Sequence, residues 1–272
     1  MPGTLYVVAT PIGNLQDMTL RAIDTLKAVD GVICEDTRVM KRLLSHFGIR
    51  QRTTSFFTGN ERVRLQPILQ QLREDRDLAL ASDAGTPGIS DPGFLLVAAC
   101  RKEDIPVVPV PGPSALSAGL SVCGLPTSRV LFLGFPSRKQ GERKRLLNSL
   151  AREPSTLVFY ESPKRIRSFY EEARLAFPDR EAIIEREMTK AFESHYANPD
   201  AGDLPEMGEY ILIFGPPGRS DAKELPPRET VEVELRRLVS SGLDEKEALR
   251  TLAREWGHRK RDLYQLVKRS PH

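Results

Sequence analysis

The sequence predicts an α/β fold, with two units of strands covered by helices followed by a small helical extension. Three observations predict it. Short β-rich apolar runs alternate with segments whose apolar residues recur at helical spacing. A second apolar set begins near Gly124 and is large enough for a core of its own. An aperiodic stretch rich in proline and charge, Pro216–Arg228, then leads into a periodic tail.

In chain order, Thr4–Ala9 (TLYVVA) reads as a strand, and Thr19–Ala28 as a helix with Leu20, Ile23 and Leu26 on one face. Gly31–Cys34 (GVIC) is a second strand. Val39–Phe47 is a helix stopped by Gly48. Glu61–Arg73 is a helix striped by Leu65, Ile68, Leu69 and Leu72. Leu78–Ala81 and Pro106–Val110 are strands, joined by a helix from about Gly93 to Lys102. This alternation implies a parallel-rich sheet covered by helices. Beyond Gly124, strands are expected at Val130–Phe135, Thr156–Tyr160, Glu181–Ile184 and Glu209–Phe214, with helices at Glu142–Ala151 and Lys164–Ala176. Three short helices follow, at Glu229–Ser240, Asp244–Trp256 and Lys260–Arg269. The expected organisation is therefore an N-terminal domain over residues 1–122, a second domain over 123–216, a linker at 217–228 and a helical extension over 229–272.

Composition narrows the class. The chain has 272 residues, 40% hydrophobic and 28% charged, a profile that excludes disorder. The net charge of +3 does not by itself announce a nucleic-acid partner. Cys34, Cys100 and Cys123 form no C-x-x-C pair and read as buried thiols in a reducing compartment. The N-terminus lacks the basic and apolar regions of a signal peptide. The longest apolar run, Phe94–Cys100, is too short to span a bilayer. A cytoplasmic protein without a membrane role is expected. The four histidines are widely spaced, so no metal site is expected.

Chemistry should sit in the loops at strand C-terminal ends, where ligands bind in open α/β sheets. Four such loops stand out: Thr10–Asn14, Ser82–Gly93, Pro111–Ala115 and Tyr160–Pro163. Glycine and alanine let backbone approach a ligand, and proline fixes the loop's shape beforehand. Each alone reads equally as a plain turn; the twelve residues of Ser82–Gly93 are more than a turn needs. The chain carries no G-x-x-x-x-G-K-[ST], no G-x-G-x-x-G after the first strand, no H-E-x-x-H and no G-x-S-x-G. These absences argue against a P-loop nucleotidase, a dinucleotide enzyme, a zincin and a serine hydrolase.

ATPIGNL, AVDGVICEDTR, SDAGTPGISDPG, PGPSA, FYESPKR, REMTK and GEYILIF occur in this order from about Gly3 to Phe214. In these motifs the chain resembles the tetrapyrrole-methylase superfamily and, within it, the ribosomal RNA small subunit methyltransferase I group. The resemblance implies the two-domain tetrapyrrole-methylase (class III methyltransferase) fold. It also implies S-adenosylmethionine in a cleft between the domains, and transfer of its methyl group to the ribose 2′-hydroxyl of a decoding-site cytidine in 16S ribosomal RNA. Carried over position by position, the cofactor residues are Pro11, Asp83, Ala84, Gly85, Ser114, Ala115, Glu161 and Met188. A homodimer acting on 16S ribosomal RNA or the 30S subunit is the family expectation. The chain departs from the group in one loop: Phe57 and Gly59 stand where histidines usually precede the pair Asn60-Glu61, so this loop offers no imidazole base.

Methyl transfer to a hydroxyl is an in-line displacement helped by alignment and by a proton acceptor. Carboxylates near the loops are candidates: Glu35, Asp36, Glu61, Asp83, Glu161 and Glu187, with Lys190 only if its pKa were strongly depressed. The cluster Glu35-Asp36-Thr37-Arg38 is favoured for the RNA side, with Glu35, Asp36 and Arg38 as the catalytic candidates and Arg38 also gripping phosphate. The plainer alternative makes EDTR a capped helix start, and both readings stand together. Candidate RNA contacts are Arg38, Asn60, Lys139, Arg143, Lys144, Arg145, Arg259, Lys260 and Arg261. Residues 138–145 hold five cations and one anion, and residues 250–272 hold seven Lys/Arg against two acids. Solvated helix faces would look the same. The tail resembles a helix-turn-helix, or a plain helical hairpin packing Leu252 and Trp256 inward. Two rival functions remain at this level: a C-methyltransferase for a tetrapyrrole precursor, and a non-catalytic ribosome-assembly factor that binds RNA.

Overall fold

Five short strands organise the first half of the chain: β1 (Leu5–Val8), β2 (Gly31–Cys34), β3 (Thr53–Ser55), β4 (Leu78–Ala81) and β5 (Val107–Val110). In this computed structural model, which describes residues 2–218, 226–256 and 260–268, they lie in the order β3-β2-β4-β1-β5, every pair parallel. Parallel neighbours need crossovers. These run through α1 (Leu20–Ala28), α2 (Thr37–His46), α3 (Glu61–Arg73) and α4 (Phe94–Lys102). The period of two along β4 assigns its faces. Ala79 and Ala81 meet Leu26, Met40 and Leu44 of α1 and α2. Leu78 and Leu80 meet Ile68, Leu72 and Leu96 of α3 and α4. Each fully buried leucine contributes roughly 1.5–3 kcal/mol relative to exposure.

Local chemistry sets the helix ends. The Thr19 hydroxyl accepts the Ala22 N–H at 3.1 Å and starts α1. α2 stops at Gly48, which takes φ +66. The expected α1, α2, α3, β2 and β4 appear within about two residues of their sequence bounds, the usual margin at element ends.

The second half builds a different sheet: β6 (Val130–Gly134), β7 (Thr156–Glu161), β8 (Ala182–Arg186), β9 (Ser194–Ala197) and β10 (Tyr210–Phe214), in the order β6-β7-β10-β8-β9. Only β6 and β7 are parallel; β10 runs antiparallel to β7 and β8, and β9 to β8. α6 (Gln140–Ser149) and α7 (Ile166–Ala176) cover one face, where Phe159, Phe169, Tyr170, Phe177 and Phe214 form an aromatic cluster. α5 (Ala115–Val122) lies on the other face. Gly119 allows this approach: a Cβ there would sit 2.9 Å from Ile211 Cδ1. The buried Arg180 ties the sheet's end together, with Nη1 donating to the carbonyls of Ser155 (3.0 Å) and Gly215 (2.6 Å), and Nη2 to those of Leu150 (3.0 Å) and Glu153.

Residues 1–216 form one compact unit and 217–272 another. The second unit contains α8 (Arg228–Ser240), α9 (Glu245–Trp256) and α10 (Lys260–Lys268) around Val231, Leu235, Leu249, Leu252 and Leu263. Asp244 caps α9 by accepting the Glu247 N–H at 2.7 Å. Leu252 is buried and Trp256 half-buried at the margin of this core. No helix among the described residues is long and apolar enough to cross a membrane.

Candidate active site

Three adjacent strands, β4, β1 and β5, deliver their loops to one edge of the first sheet. Main-chain atoms stitch these loops together. Thr10 and Gly85 exchange both backbone hydrogen bonds, at 2.8 and 3.0 Å. The buried Thr10 hydroxyl donates to the Ser82 carbonyl at 3.0 Å, and the Ser82 hydroxyl to the Gly85 carbonyl at 2.9 Å. The Thr86 hydroxyl reaches the Pro113 carbonyl at 3.0 Å. Gly85 holds φ +87, a conformation that costs other residues roughly 1–2 kcal/mol. Ser82–Gly93 is thus a braced wall.

The second sheet supplies the opposing groups. Met188 is presented between two residues in left-handed conformation, Glu187 (φ 53) and Thr189 (φ 66). Glu187 Oε1 accepts from Lys190 Nζ at 3.0 Å and from the Glu209 N–H at 2.9 Å. The Asn14 N–H donates to Thr189 Oγ1 at 3.1 Å, so the first loop is tied to this turn. Gly134, at φ +60, is the other point of close approach: a Cβ there would lie 2.7 Å from Ser90 Oγ.

These walls line a half-open cavity of about 370 Å³, within the roughly 300–1,000 Å³ of small-molecule sites. Ala84, Gly85, Ser114 and Ala115 line it from the first sheet, and Glu161, Met188 and Ile211 from the second. Glu161 is the informative group. Its side chain is fully buried, and Oε1 accepts from Arg165 Nε (2.8 Å), the Ser162 N–H (2.6 Å) and the Ser162 hydroxyl (3.1 Å). Oε2 is buried and has no partner. A stranded carboxylate oxygen is costly, and the residue that carries it lines the cavity. The site fits a ligand that brings N–H or O–H donors to Oε2 and flat apolar surface to Ile12, Met188 and Ile211.

A shallower recess beside the β2 and β4 ends is lined by Glu35, Asp36, Arg38, Phe57 and Asp83. Asp36 caps α2, accepting the Arg38 N–H at 2.8 Å, and pairs with the Arg38 guanidinium at 2.7 Å. Its own N–H donates to Asp83 Oδ1 at 3.1 Å. The Arg38 side-chain hydrogen bond, followed by the Arg38 backbone bond, holds the Asp36 carboxyl down at about 2. Burial pushes Glu35 up, helped by the charges of Asp83 and Asp36. Burial also raises Asp83. The largest change is at Asp91, which lines the half-open cavity. Burial, then the charges of Glu35 and Asp83, push its carboxyl to about 7.

Of the eight residues assigned to the cofactor by resemblance, Ala84, Gly85, Ser114, Ala115, Glu161 and Met188 come together on the half-open cavity. Pro11 is buried and does not line it, while its neighbour Ile12 does. Asp83 lines the recess instead. Glu35, Asp36 and Arg38 share that recess, where the pairing with Arg38 holds the Asp36 carboxyl low and makes it a weak base. Glu61 is engaged as well, accepting the Gly93 N–H at 3.2 Å. Burial pulls the Lys190 ammonium down, yet the hydrogen bonds it donates to Glu209 and Glu187 outweigh that and leave the pKa raised, so Lys190 remains a cation rather than a base.

Two expected RNA contacts have partners within the protein. Arg143 is buried in a bidentate pair with Glu172 (2.7 and 2.9 Å) and donates to the carbonyls of Ser137 and Arg138. Asn60 braces its own loop, accepting the Phe57 N–H at 2.8 Å and donating to the Ser55 carbonyl at 3.3 Å. Lys139, Lys144 and Arg145 remain exposed on or beside α6. Arg259 and the side chain of Arg261 lie outside the described residues, and Lys260 begins α10. Sequence reasoning did not single out Asp91, Ile12 or Glu185. Asp91 stands within the Ser82–Gly93 loop, the one signal that could have found it. Glu185, buried against the cavity with Oε1 2.7 Å from His195 Nδ1, has no local signal.

Comparison with known proteins agrees with this geometry. Residues 4–202 match the family of Tetrapyrrole (Corrin/Porphyrin) Methylases. A Synechocystis sp. protein named Ribosomal RNA small subunit methyltransferase I is 41% identical over 271 residues, covering 97% of each chain. A Haemophilus influenzae protein of the same name is 39% identical over 97% of this chain and 96% of its own. Among solved structures, the methyltransferase CobJ superposes with a TM-score of 0.60 at 18% identity, over 79% of this chain and 94% of its own. A diphthine synthase does so at 0.62 and 11% identity, over 78% and 90%. At such identities the structural likeness speaks for the fold alone. The chain belongs to the tetrapyrrole (corrin/porphyrin) methylase family and, within it, to the ribosomal RNA small subunit methyltransferase I group.

Proposed function

We propose that this chain transfers the methyl group of S-adenosylmethionine to the ribose 2′-hydroxyl of a decoding-site cytidine in 16S ribosomal RNA. The observation that carries this reading is Glu161, which lines the cavity and whose buried Oε2 has no partner. S-adenosylmethionine supplies an electrophilic methyl group, and its amino and hydroxyl hydrogens match the missing partners of that oxygen. The main chain at Ala84, Gly85, Ser114 and Ala115 holds the cofactor's polar edges, while Ile12, Met188 and Ile211 cover its flat surface. Relatives named for methylation of small-subunit ribosomal RNA support the substrate.

RNA enters on the recess side, where Phe57 is 43% exposed and offers a ring for base stacking. Arg38 stands exposed at the same rim, and Lys139, Lys144 and Arg145 add phosphate contacts. The helical unit with Lys260, together with Arg259 and Arg261, serves as an RNA-docking accessory. The protein acts in the cytoplasm as a homodimer, on ribosomal RNA or the 30S subunit.

Two measurements test this. Mapping 16S ribosomal RNA from cells lacking the gene should show loss of one cytidine 2′-O-methyl group at the decoding site; an unchanged methyl pattern rejects the substrate. By calorimetry, Glu161→Gln should weaken S-adenosylmethionine binding on the order of 10–100-fold, the scale of a charged hydrogen bond. Unaltered affinity would remove Glu161 from the cofactor site.

A further inference from the structure

Resting on the 2′-hydroxyl reading above, we infer that Asp91 is the catalytic proton acceptor of the reaction, taking the proton from the ribose hydroxyl as it attacks the methyl group. The step balances. A lone pair of the 2′-oxygen forms the new O–C bond, the C–S bonding pair returns to sulfur, and the hydroxyl proton passes to the Asp91 carboxylate, which later releases it to solvent.

Position comes first. Asp91 lines the half-open cavity together with Glu161 and Met188. It feels the charges of two groups of a second depression: Glu35 after β2 and Asp83 after β4, both lining the recess. Asp91 therefore looks onto the cofactor side while lying within electrostatic reach of the substrate side, which is where the attacking hydroxyl must arrive. The chain fixes it there. Ser90 precedes it at φ 64, with its hydroxyl packed against Gly134 of the second sheet. Gly93 follows at φ +140, its N–H held by Glu61.

The competing carboxylates are less suited. Asp36 is locked to Arg38, Glu161 Oε1 to Arg165, Glu187 to Lys190, and Asp83 accepts the Asp36 N–H. Among the described residues no cation lies within ion-pair distance of Asp91. The titratable groups that face it are Glu35, Asp83 and, from β7, Tyr160, whose phenol burial pushes up to about 12 and leaves neutral. A proton acceptor works best when its pKa lies close to the working pH, and burial with the two neighbouring carboxylates brings Asp91 there. The ionised form does the work, so the rate rises with pH through the Asp91 midpoint and then levels.

The test uses the full-length protein and three readouts. Asp91→Asn should keep S-adenosylmethionine affinity within about threefold by calorimetry, while single-turnover methyl transfer to 30S subunits falls about 10²–10⁴-fold. Carboxyl ¹³C NMR of the protein alone should show one aspartate titrating near 7, absent in Asp91→Asn. Glu35→Gln should move that midpoint, and the inflection in the rate, to lower pH by removing a neighbouring negative charge. Retained transfer in Asp91→Asn, an equal loss of cofactor affinity and rate, or an Asp91 midpoint near the ordinary aspartate value overturns the inference. So does a Glu35→Gln variant whose rate has lost its inflection, because Glu35 would then be the acceptor. The position of the methyl group made by the wild-type protein, read by mass spectrometry, reports separately on the underlying function. A methylated base in place of a methylated ribose rejects that function, whereas a methylated ribose with an active Asp91→Asn rejects this inference alone.

Discussion

The two sheets handle buried polarity in opposite ways. Among the described residues of the first half, the buried polar side chains are the hydroxyls of Thr10 and Ser82. The five buried charged side chains, Arg143, Glu161, Arg180, Glu185 and Arg186, all belong to the second half. A hydroxyl satisfies a carbonyl without needing a counter-charge, so the fully buried polar groups of the parallel sheet are neutral. A guanidinium presents several fixed donors, so the mixed sheet uses Arg180 to gather carbonyls that lie beyond the ends of its ladders. The first half braces the cavity with main chain and hydroxyls, and the second half brings the fully buried charges.

This contrast can be broken by substitution. The largest effect is expected from Arg180→Met, which strands the carbonyls of Ser155, Gly215, Leu150 and Glu153 at roughly 1–3 kcal/mol for each one left unsatisfied. Urea unfolding should show a loss of at least about 3 kcal/mol; a loss below about 1 kcal/mol would mean the charge is ornamental. Next is Gly134→Ala, where a left-handed φ and a Cβ 2.7 Å from Ser90 Oγ act together. Its expected cost is about 1–3 kcal/mol, and adding Ser90→Ala should recover part of it by removing the clashing oxygen. No recovery would place the whole cost in the backbone. The smallest effect is expected from Thr10→Val, which removes one buried neutral hydrogen bond worth about 1 kcal/mol. A Thr10→Val loss as large as that of Arg180→Met would erase the distinction between the halves.

The same contrast explains which features are legible in the amino-acid order. The strands and helices of the first half follow periodicity, and their loops carry runs of glycine and proline that mark a ligand edge from the sequence alone. α5 escapes that reading: Ala115–Val122 is rich in small residues and is held by tight packing on Ile211 and Ile213 instead of by a bold apolar stripe. β3 and β9 are short edge strands with partly polar faces, which period-two alternation barely registers. At the site, Pro11 is one position from the lining residue because loop direction is a tertiary property. Arg143 reads as a surface cation because its partner, Glu172, lies 29 residues away on another helix. Asp91 is an ordinary aspartate in sequence, and only its surroundings bring its carboxyl to about 7.

The exchange of backbone hydrogen bonds between Thr10 and Gly85 has one further consequence. A framework tied by peptide groups does not depend on which side chains decorate its rim. Phe57 and Arg38 can therefore be exchanged for other residues without loosening the cavity behind them. On the proposed reading, substitutions at the recess rim should change what docks there while leaving the main-chain brace of the cavity intact.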